Sequence, residues 1–227
     1  MIDFPTSVVK INTIAENTVE ALIKTDNSFE FIAGQYVTIT IPDLKQLPYN
    51  EQFRDFTIAS APEDKGYIAI AFRNSHSNFK KFILQNSETK NVVLNGPKGI
   101  FTLPGDESIP VVFLAAGIGI TSFRSMIRHL YLTHSVVKPT LFFYNHNRES
   151  APYIDELETY SDSVNMSVFY ENISTKELEV YLNSYNGVNQ WYITGPRQFV
   201  NNSRQLLSKL HVEEKYILSE EYSGYAR

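Results

Sequence analysis

The chain has 227 residues, a length at which two compact domains are the first expectation. Its formal net charge of -5 at pH 7 disfavours a nucleic-acid partner, because phosphate backbones are gripped by excess positive charge. It contains no cysteine, which excludes disulfides, a thiol nucleophile and cysteine-ligated iron–sulfur clusters within these residues.

The first residues, Met1-Ile2-Asp3-Phe4-Pro5-Thr6, carry neither a basic start nor an apolar run of signal-peptide type. Val8 to Ile14 and Thr18 to Lys24 read as strands, followed by a turn at Thr25-Asp26-Asn27-Ser28 and the short run Phe29-Glu30-Phe31. Gln35 to Ile41 alternates and stops at Pro42, and Phe53 to Ser60, Tyr67 to Phe72 and Val92 to Leu94 continue the series. Short strands at regular spacing predict a small antiparallel barrel. One helix interrupts them, about Ser77 to Leu84, with Phe79, Phe82 and Ile83 on one face.

Beyond Pro110 the period changes. Val111 to Ala115 is a continuous apolar run, as in a buried parallel strand, and Phe123, Met126, Ile127 and Leu130 then recur at helical spacing. Strands at Thr140–Tyr144, Val164–Tyr170, Trp191–Thr194 and Tyr216–Leu218 alternate with helices at Pro152–Tyr160, Thr175–Leu182 and Gln198–Leu210. That alternation predicts an α/β domain with an open parallel sheet. The polar stretch Gly105 to Ser108 sets the boundary, with one domain over 1–106 and the second over 107–227. The longest apolar stretch, Ile109 to Ile120, is too short and too interrupted to span a bilayer, so a cytoplasmic protein with no membrane span is expected.

Three segments carry chemistry. Ala116-Gly117-Ile118-Gly119-Ile120-Thr121-Ser122 lies between the buried strand and an amphipathic helix. Its glycines would let the backbone approach a pyrophosphate at the positive end of that helix, although any tight strand-to-helix turn also wants glycine. In Arg54-Asp55-Phe56-Thr57-Ile58-Ala59-Ser60 the period of a strand puts Arg54 and Phe56 on one face and Thr57 on the other. In Arg73-Asn74-Ser75-His76-Ser77-Asn78-Phe79-Lys80-Lys81-Phe82 a serine precedes a helix with two lysines close by.

Together these segments resemble the ferredoxin–NADP⁺ reductase superfamily, in which a flavin-binding antiparallel barrel precedes a nicotinamide-binding α/β domain. Arg54-x-Phe56-Thr57 resembles its R-x-Y-[ST] motif with Phe for Tyr, and Ser75 to Lys81 its phosphate helix. Gly96-Pro97-Lys98-Gly99-Ile100-Phe101 is similar to the G-P-x-G-x-F segment that closes the barrel. Ala116 to Ser125 resembles G-G-x-G-[IT]-[TA]-P-F-R-S, with Ala116 for the first glycine and Ser122 for the proline. Asn145 to Leu157, Gly195-Pro196-Arg197 and Glu220-Glu221-Tyr222-Ser223-Gly224-Tyr225 are similar to the second-strand loop, the G-P-x motif and the tail.

The resemblance implies bound FAD and a hydride donor, NADPH or NADH. Arg54 would grip the flavin phosphates, Phe56 pack on the isoalloxazine and Thr57 hydrogen-bond near N5, with Glu221 and Tyr222 over the ring's other face. It places Ser60, Arg73, Ser77, Asn78, Phe79 and Lys80 at the flavin as well. Gly117, Gly119, Thr121, Arg124, Arg148, Gly195 and Pro196 fall at the nucleotide. Arg148 with Arg124 leans towards NADPH, since cations suit a 2′-phosphate and no acidic residue follows Tyr144 directly. Electrons would pass to a ferredoxin, a flavodoxin, an oxygenase component or a small-molecule acceptor. A free-flavin reductase and a non-catalytic flavin- or nucleotide-binding subunit are the alternatives. His76, His129, His134, His146 and His211 form no metal-ligand pair, and no metal site is expected.

Overall fold

The computed structural model describes residues 3–75, 77–85, 90–170, 179, 182, 185 and 190–222. The first half builds six strands: β1 (Asp3–Ala15), β2 (Thr18–Lys24), β3 (Tyr36–Thr40), β4 (Phe53–Thr57), β5 (Tyr67–Arg73) and β6 (Lys90–Lys98). They pair antiparallel in the order β4-β3-β6-β1-β2-β5. The two ends of the sheet approach each other just past β4, where the Ala59 N–H donates to the Ala69 carbonyl of β5 at 2.7 Å. β1 is longer than its apolar pattern predicts because it serves two partners. Residues 3–8 pair with β6 and residues 8–15 with β2.

Alternation supplies the barrel core. Val37, Ile39 and Phe56 face inward with Val8, Ile23, Ile68, Ile70 and Phe72. The short helix α1 (Tyr49–Gln52) leads into β4, and α2 (Asn78–Gln85) covers the barrel with Phe79 and Ile83, four residues apart on one face.

The second half places β7 (Val111–Ala116), β8 (Thr140–Asn145), β9 (Asn165–Tyr170), β10 (Gln190–Gly195) and β11 (Ile217–Glu221) in one parallel sheet, order β11-β10-β7-β8-β9. Both predicted fold classes are present. The helices are α3 (Ile120–Leu132), α4 (Ile154–Glu158) and α5 (Arg197–Lys209). α4 is shorter than the predicted Pro152–Tyr160 because Tyr153, at φ +61, breaks the turn before it. Most of the helix predicted over Thr175–Leu182 lies outside the described residues.

The strand order reverses at β7, and in such sheets ligands bind outside the carboxyl ends of the strands at that point. One face of the sheet packs on α5 through Leu114, Phe142, Trp191 and Ile193. The other face merges with the barrel. Phe113 stacks on Phe123 of α3 at 4.3 Å, Phe101 meets Tyr192 edge-on at 5.2 Å, and Ala33, Ala59 and Ala69 of the barrel join the same buried cluster. Gly34 allows this closeness: at φ +98, a Cβ there would lie 2.1 Å from the Phe101 carbonyl oxygen and 2.4 Å from the Met126 methyl. The two halves therefore share one apolar core.

Candidate active site

On the barrel side, strand register settles which way each motif residue looks. Arg54 pairs with Ile39 and Phe56 with Val37, while Thr57 stands opposite Tyr36 on the other face. Arg54 lies 5.6 Å over the Phe79 ring and holds the Asn50 and Phe53 carbonyls. Ser77 caps α2 by accepting the Lys80 N–H at 3.3 Å. The Lys80 ammonium donates to the Arg73 carbonyl at 3.0 Å. Burial, and then the like charge of Arg54, holds Lys80 below the ordinary lysine range. Two cations and the positive end of a helix thus converge.

Several residues expected at the flavin are engaged within the protein. Phe79 is fully buried beneath Arg54, so only its backbone faces the cationic end of α2. Phe56 is 8% exposed and wedged between Phe72 and Phe79, each 5.8 Å away, so its ring is core rather than an open stacking plate. The Asn78 amide is taken by Glu51 at 2.9 Å. Ser60 is 1% exposed; its hydroxyl accepts the Ala69 N–H at 3.0 Å and its carbonyl accepts the Ser125 hydroxyl at 2.6 Å. It braces β5 and the domain junction.

On the sheet side, β7 ends in a 3-10 turn at Gly117–Gly119 that runs into α3. Gly117 has φ +54, and a Cβ there would lie 2.8 Å from an Arg73 guanidinium nitrogen. Arg73 therefore reaches from the end of β5 across to the nucleotide turn. Gly119 lets β10 close in: its Cβ would sit 2.6 Å from the Thr194 carbonyl oxygen, whose own residue donates its hydroxyl to the Gly119 carbonyl at 2.7 Å. Gly195 leaves space for the Ala116 methyl, which a second Cβ would approach to 2.9 Å. Gly119→Ala should cost about 1–3 kcal/mol, since only backbone shifts relieve the contact. Chemical denaturation measures it, and a loss below about 0.5 kcal/mol would show that the turn is not tightly held.

The two sides meet at hydroxyls. The Tyr222 hydroxyl lies 2.6 Å from Thr57 Oγ1, 3.0 Å from Ser122 Oγ and 3.3 Å from Thr121 Oγ1. The tail is held by the Tyr222 N–H donating to the Gly195 carbonyl at 2.9 Å. Ser122 Oγ donates to Glu220 Oε2 at 3.4 Å. Burial lifts the Glu220 carboxyl to about 7, against a smaller lowering by Ser122. Burial, with the charge of Glu220, lifts the Tyr222 phenol. Glu221, expected near the flavin, instead points away and pairs with Arg197 at 3.7 Å. Strand alternation is the reason: Leu218, Glu220 and Tyr222 share the inner side of the tail, and Glu221 takes the other.

Arg124, expected at the nucleotide, is likewise engaged. Its guanidinium is buried at the domain junction, donating to both Glu156 carboxylate oxygens at 2.9 and 3.0 Å and to the Ala59 carbonyl at 2.8 Å. It lies 3.7 Å from Glu20 and 4.3 Å over the Tyr153 ring. Arg148 is exposed and already paired with Asp155 and Glu158, each at 2.7 Å. Sequence reasoning missed Asn145, whose amide is 91% buried (9% exposed) with no hydrogen-bond partner among the described residues. It follows Tyr144, which pairs with Ala116, so it stands beside the Gly117 turn. A polar residue ending an otherwise apolar strand was the available signal.

A barrel carrying a cationic helix end is joined to a parallel sheet whose switch point opens on the same junction, the place where ligands bind in such sheets. Residues 3–102 match the family model of an FAD-binding domain. Methane monooxygenase component C of Methylosinus trichosporium is 33% identical over 138 residues, 60% of this chain and 39% of that protein. A flavohemoprotein of Bordetella pertussis is 26% identical over 217 residues, covering 84% of this chain and 52% of its own. The crystal structure of the cytochrome P450 reductase GcoB of Amycolatopsis superposes with a TM-score of 0.83 at 16% identity, over 99% of this chain and 71% of that one. The chain spans about half or less of the length of these curated relatives. Over its whole length the chain has the fold of that P450 reductase, and the match to an FAD-binding domain covers its N-terminal part. Among the described residues no helix is long and apolar enough to cross a membrane.

Proposed function

We propose that the chain is an NAD(P)H-dependent FAD oxidoreductase that works in the cytoplasm and delivers electrons to a separate acceptor. It divides into a flavin domain over 1–106 and a nucleotide domain over 107–227. The observation that carries this reading is the convergence of Thr57, from the barrel, with Thr121 and Ser122, from the glycine turn, on one Tyr222 hydroxyl. Two separately built binding elements present their functional ends at one place, as hydride transfer between two bound rings requires.

The residues fit the cofactor. Arg54, Lys80 and the N-terminal N–H groups of α2 suit a pyrophosphate. Gly117 and Gly119 form a backbone cradle that a Cβ would fill, with Arg73 at its rim. When bound, the flavin accepts a hydride from the reduced nicotinamide and passes electrons on. Thr57 Oγ1 offers a hydrogen bond on the face opposite Arg54, and Tyr222 shields that oxygen from water. Asn145 supplies an amide to the nucleotide beside the turn.

With Arg124 buried in the junction and Arg148 offset by two carboxylates, neither of these two cations supports the lean towards NADPH. We therefore expect kcat/KM values for NADH and NADPH to agree within about tenfold, equivalent to about 1.4 kcal/mol. The acceptor is a ferredoxin, a flavodoxin, an oxygenase component or a small molecule; one relative is named as a component of a monooxygenase. The test is anaerobic titration of the purified yellow protein with each dinucleotide, read as flavin bleaching. A colourless protein that FAD fails to reconstitute would overturn the reading. Flavin lost on dialysis would make it a free-flavin reductase instead.

A further inference from the structure

The turn between β1 and β2 is made by Glu16 and Asn17, past the last ladder pair of Ala15 with Thr18. Both side chains are exposed, yet the backbone of the turn is committed on two sides. The Glu16 N–H donates to the Glu149 carbonyl of the sheet half at 2.7 Å, and the Asn17 carbonyl accepts the Asn74 N–H of the barrel at 2.7 Å. Asn74 opens the segment that leads from β5 to α2, and its neighbour Arg73 holds the Lys80 ammonium through its carbonyl. Glu149 lies in the loop after β8. That loop is closed on itself: the Ser150 hydroxyl accepts the Asn147 N–H at 3.1 Å, and the Ser150 N–H donates to Asn147 Oδ1 at 2.8 Å. Glu149 is therefore held in one unit with Asn147, two residues from the Asn145 amide. The turn thus stands between a segment that borders the phosphate-gripping cations and a loop that borders the nucleotide turn.

A second strut comes from the same hairpin. Glu20 of β2 is buried, and it accepts the Tyr153 hydroxyl at 3.0 Å and the Asn12 amide of β1 at 3.1 Å. Tyr153 ends the loop with φ +61, a left-handed backbone that a bulky side chain adopts only where its surroundings hold it. The loop is thus pinned to the hairpin at two points. The polar links from α3 to the barrel run mostly elsewhere: Arg124, Ser125, Arg128 and His129 reach Ala59, Ser60, Asp64 and Glu63.

We propose that the β1–β2 turn couples the two binding sites, so that FAD and the dinucleotide each tighten the binding of the other, with Glu16 and Asn17 acting through their backbone as positioning residues. This rests on the reading that both cofactors bind at this junction. A pyrophosphate gripped by Arg54, Lys80 and the α2 terminus fixes the segment that starts at Asn74. The Asn74 N–H holds the Asn17 carbonyl, the Glu16 N–H holds the Glu149 carbonyl, and the loop is in place before the dinucleotide arrives. The second ligand then has less chain to order, which gives positive coupling without a change of shape. Reciprocity follows: whatever factor FAD adds to dinucleotide affinity, the dinucleotide adds to FAD affinity. Arg73, whose guanidinium lies against Gly117, is a separate contact between the two sites, and variants of the turn leave it in place.

The test is the FAD affinity of the full chain, read by flavin fluorescence, with and without saturating NAD⁺ or NADP⁺, and the reciprocal dinucleotide titration with and without FAD. The parent should show a coupling factor of about fivefold or more in both directions. Glu16→Pro removes the one N–H and suits the site, since of the two turn residues only Asn17 takes left-handed backbone and Ala15 is extended. It should bring the factor to within about twofold of one while FAD affinity without dinucleotide stays within about threefold of the parent. Glu16→Ala keeps the N–H and should behave as the parent. Hydrogen exchange gives a reading that needs no variant: FAD alone should slow the Glu16 amide, although its acceptor lies in the other half, and the dinucleotide alone should slow the Asn74 amide. If Glu16→Pro does not fold, that exchange pattern decides. A parent factor below about twofold, coupling that survives Glu16→Pro, coupling lost equally in Glu16→Ala, or a Glu16 amide indifferent to FAD overturns the proposal and leaves the functional reading standing. A chain that binds no FAD refutes the functional reading and this proposal with it.

Discussion

Replacing Arg124 with methionine is expected to cost about 3–5 kcal/mol of stability, the range for removing one partner of a buried ion pair. Arg124 is 9% exposed, is held by Glu156 of its own half, and joins the halves through the Ala59 carbonyl, with Glu20 alongside. Methionine fills much of the same volume, so the loss reports on charge rather than on a cavity. Glu20 would remain at the junction without its cation and the Ala59 carbonyl without its donor, while Glu156 keeps Arg128 at 3.5 Å. Adding Glu20→Gln should recover part of the loss, because it removes the stranded carboxylate; the double-mutant cycle isolates the coupling. The more open pair of His129 with Glu63, at 35% and 31% side-chain exposure, should matter far less, about 0.2–1 kcal/mol. Urea unfolding measures all of these. A loss below about 1 kcal/mol for Arg124→Met would mean that the shared apolar core alone holds the two halves together.

The surroundings of Arg124 show what a sequence can and does not carry. Local signals were readable: the buried run of β7, the glycine turn, the helical period of α3, and the period of two that separates Thr57 from Arg54 and Phe56. Long-range pairing was not, because nothing in the spelling around Arg124 refers to Glu20, more than a hundred residues earlier. The exchange of Glu221 for Glu220 has a different origin. The last strand was predicted to stop at Leu218, but parallel pairing with β10 extends it to Glu221. Had alternation been carried that far from the inward Leu218, it would have put Glu220 and Tyr222 inside. Ser122 read as a departure from a motif, and its partners Glu220 and Tyr222 come from the far end of the chain. Phe56 and Phe79 read as ligand contacts because an aromatic residue in a motif looks the same whether its ring faces a ligand or a core.

Arg54→Ala should weaken FAD binding about 100-fold, and Lys80→Met by about tenfold or more, since each hydrogen bond to a charged group contributes about 1.5–3 kcal/mol. The free protein keeps these cations close enough for Arg54 to depress Lys80. A pyrophosphate relieves that repulsion, so binding should draw Lys80 back up. The sign of the pH effect follows. Above the depressed pKa of free Lys80, binding must take up a proton, and affinity falls as pH rises through that value. Removing Arg54 lifts Lys80 towards its ordinary range, which moves the fall to higher pH even as the overall affinity drops. Loss of 100-fold in affinity also removes up to about 2.7 kcal/mol of the stability that bound flavin confers. Flavin-fluorescence titration across pH, paired with melting curves with and without FAD, reads both effects. If Arg54→Ala binds FAD within about threefold of the parent and its pH limb does not move, the phosphates lie elsewhere, and the convergence of Arg54, Lys80 and the α2 terminus serves only to cap the barrel.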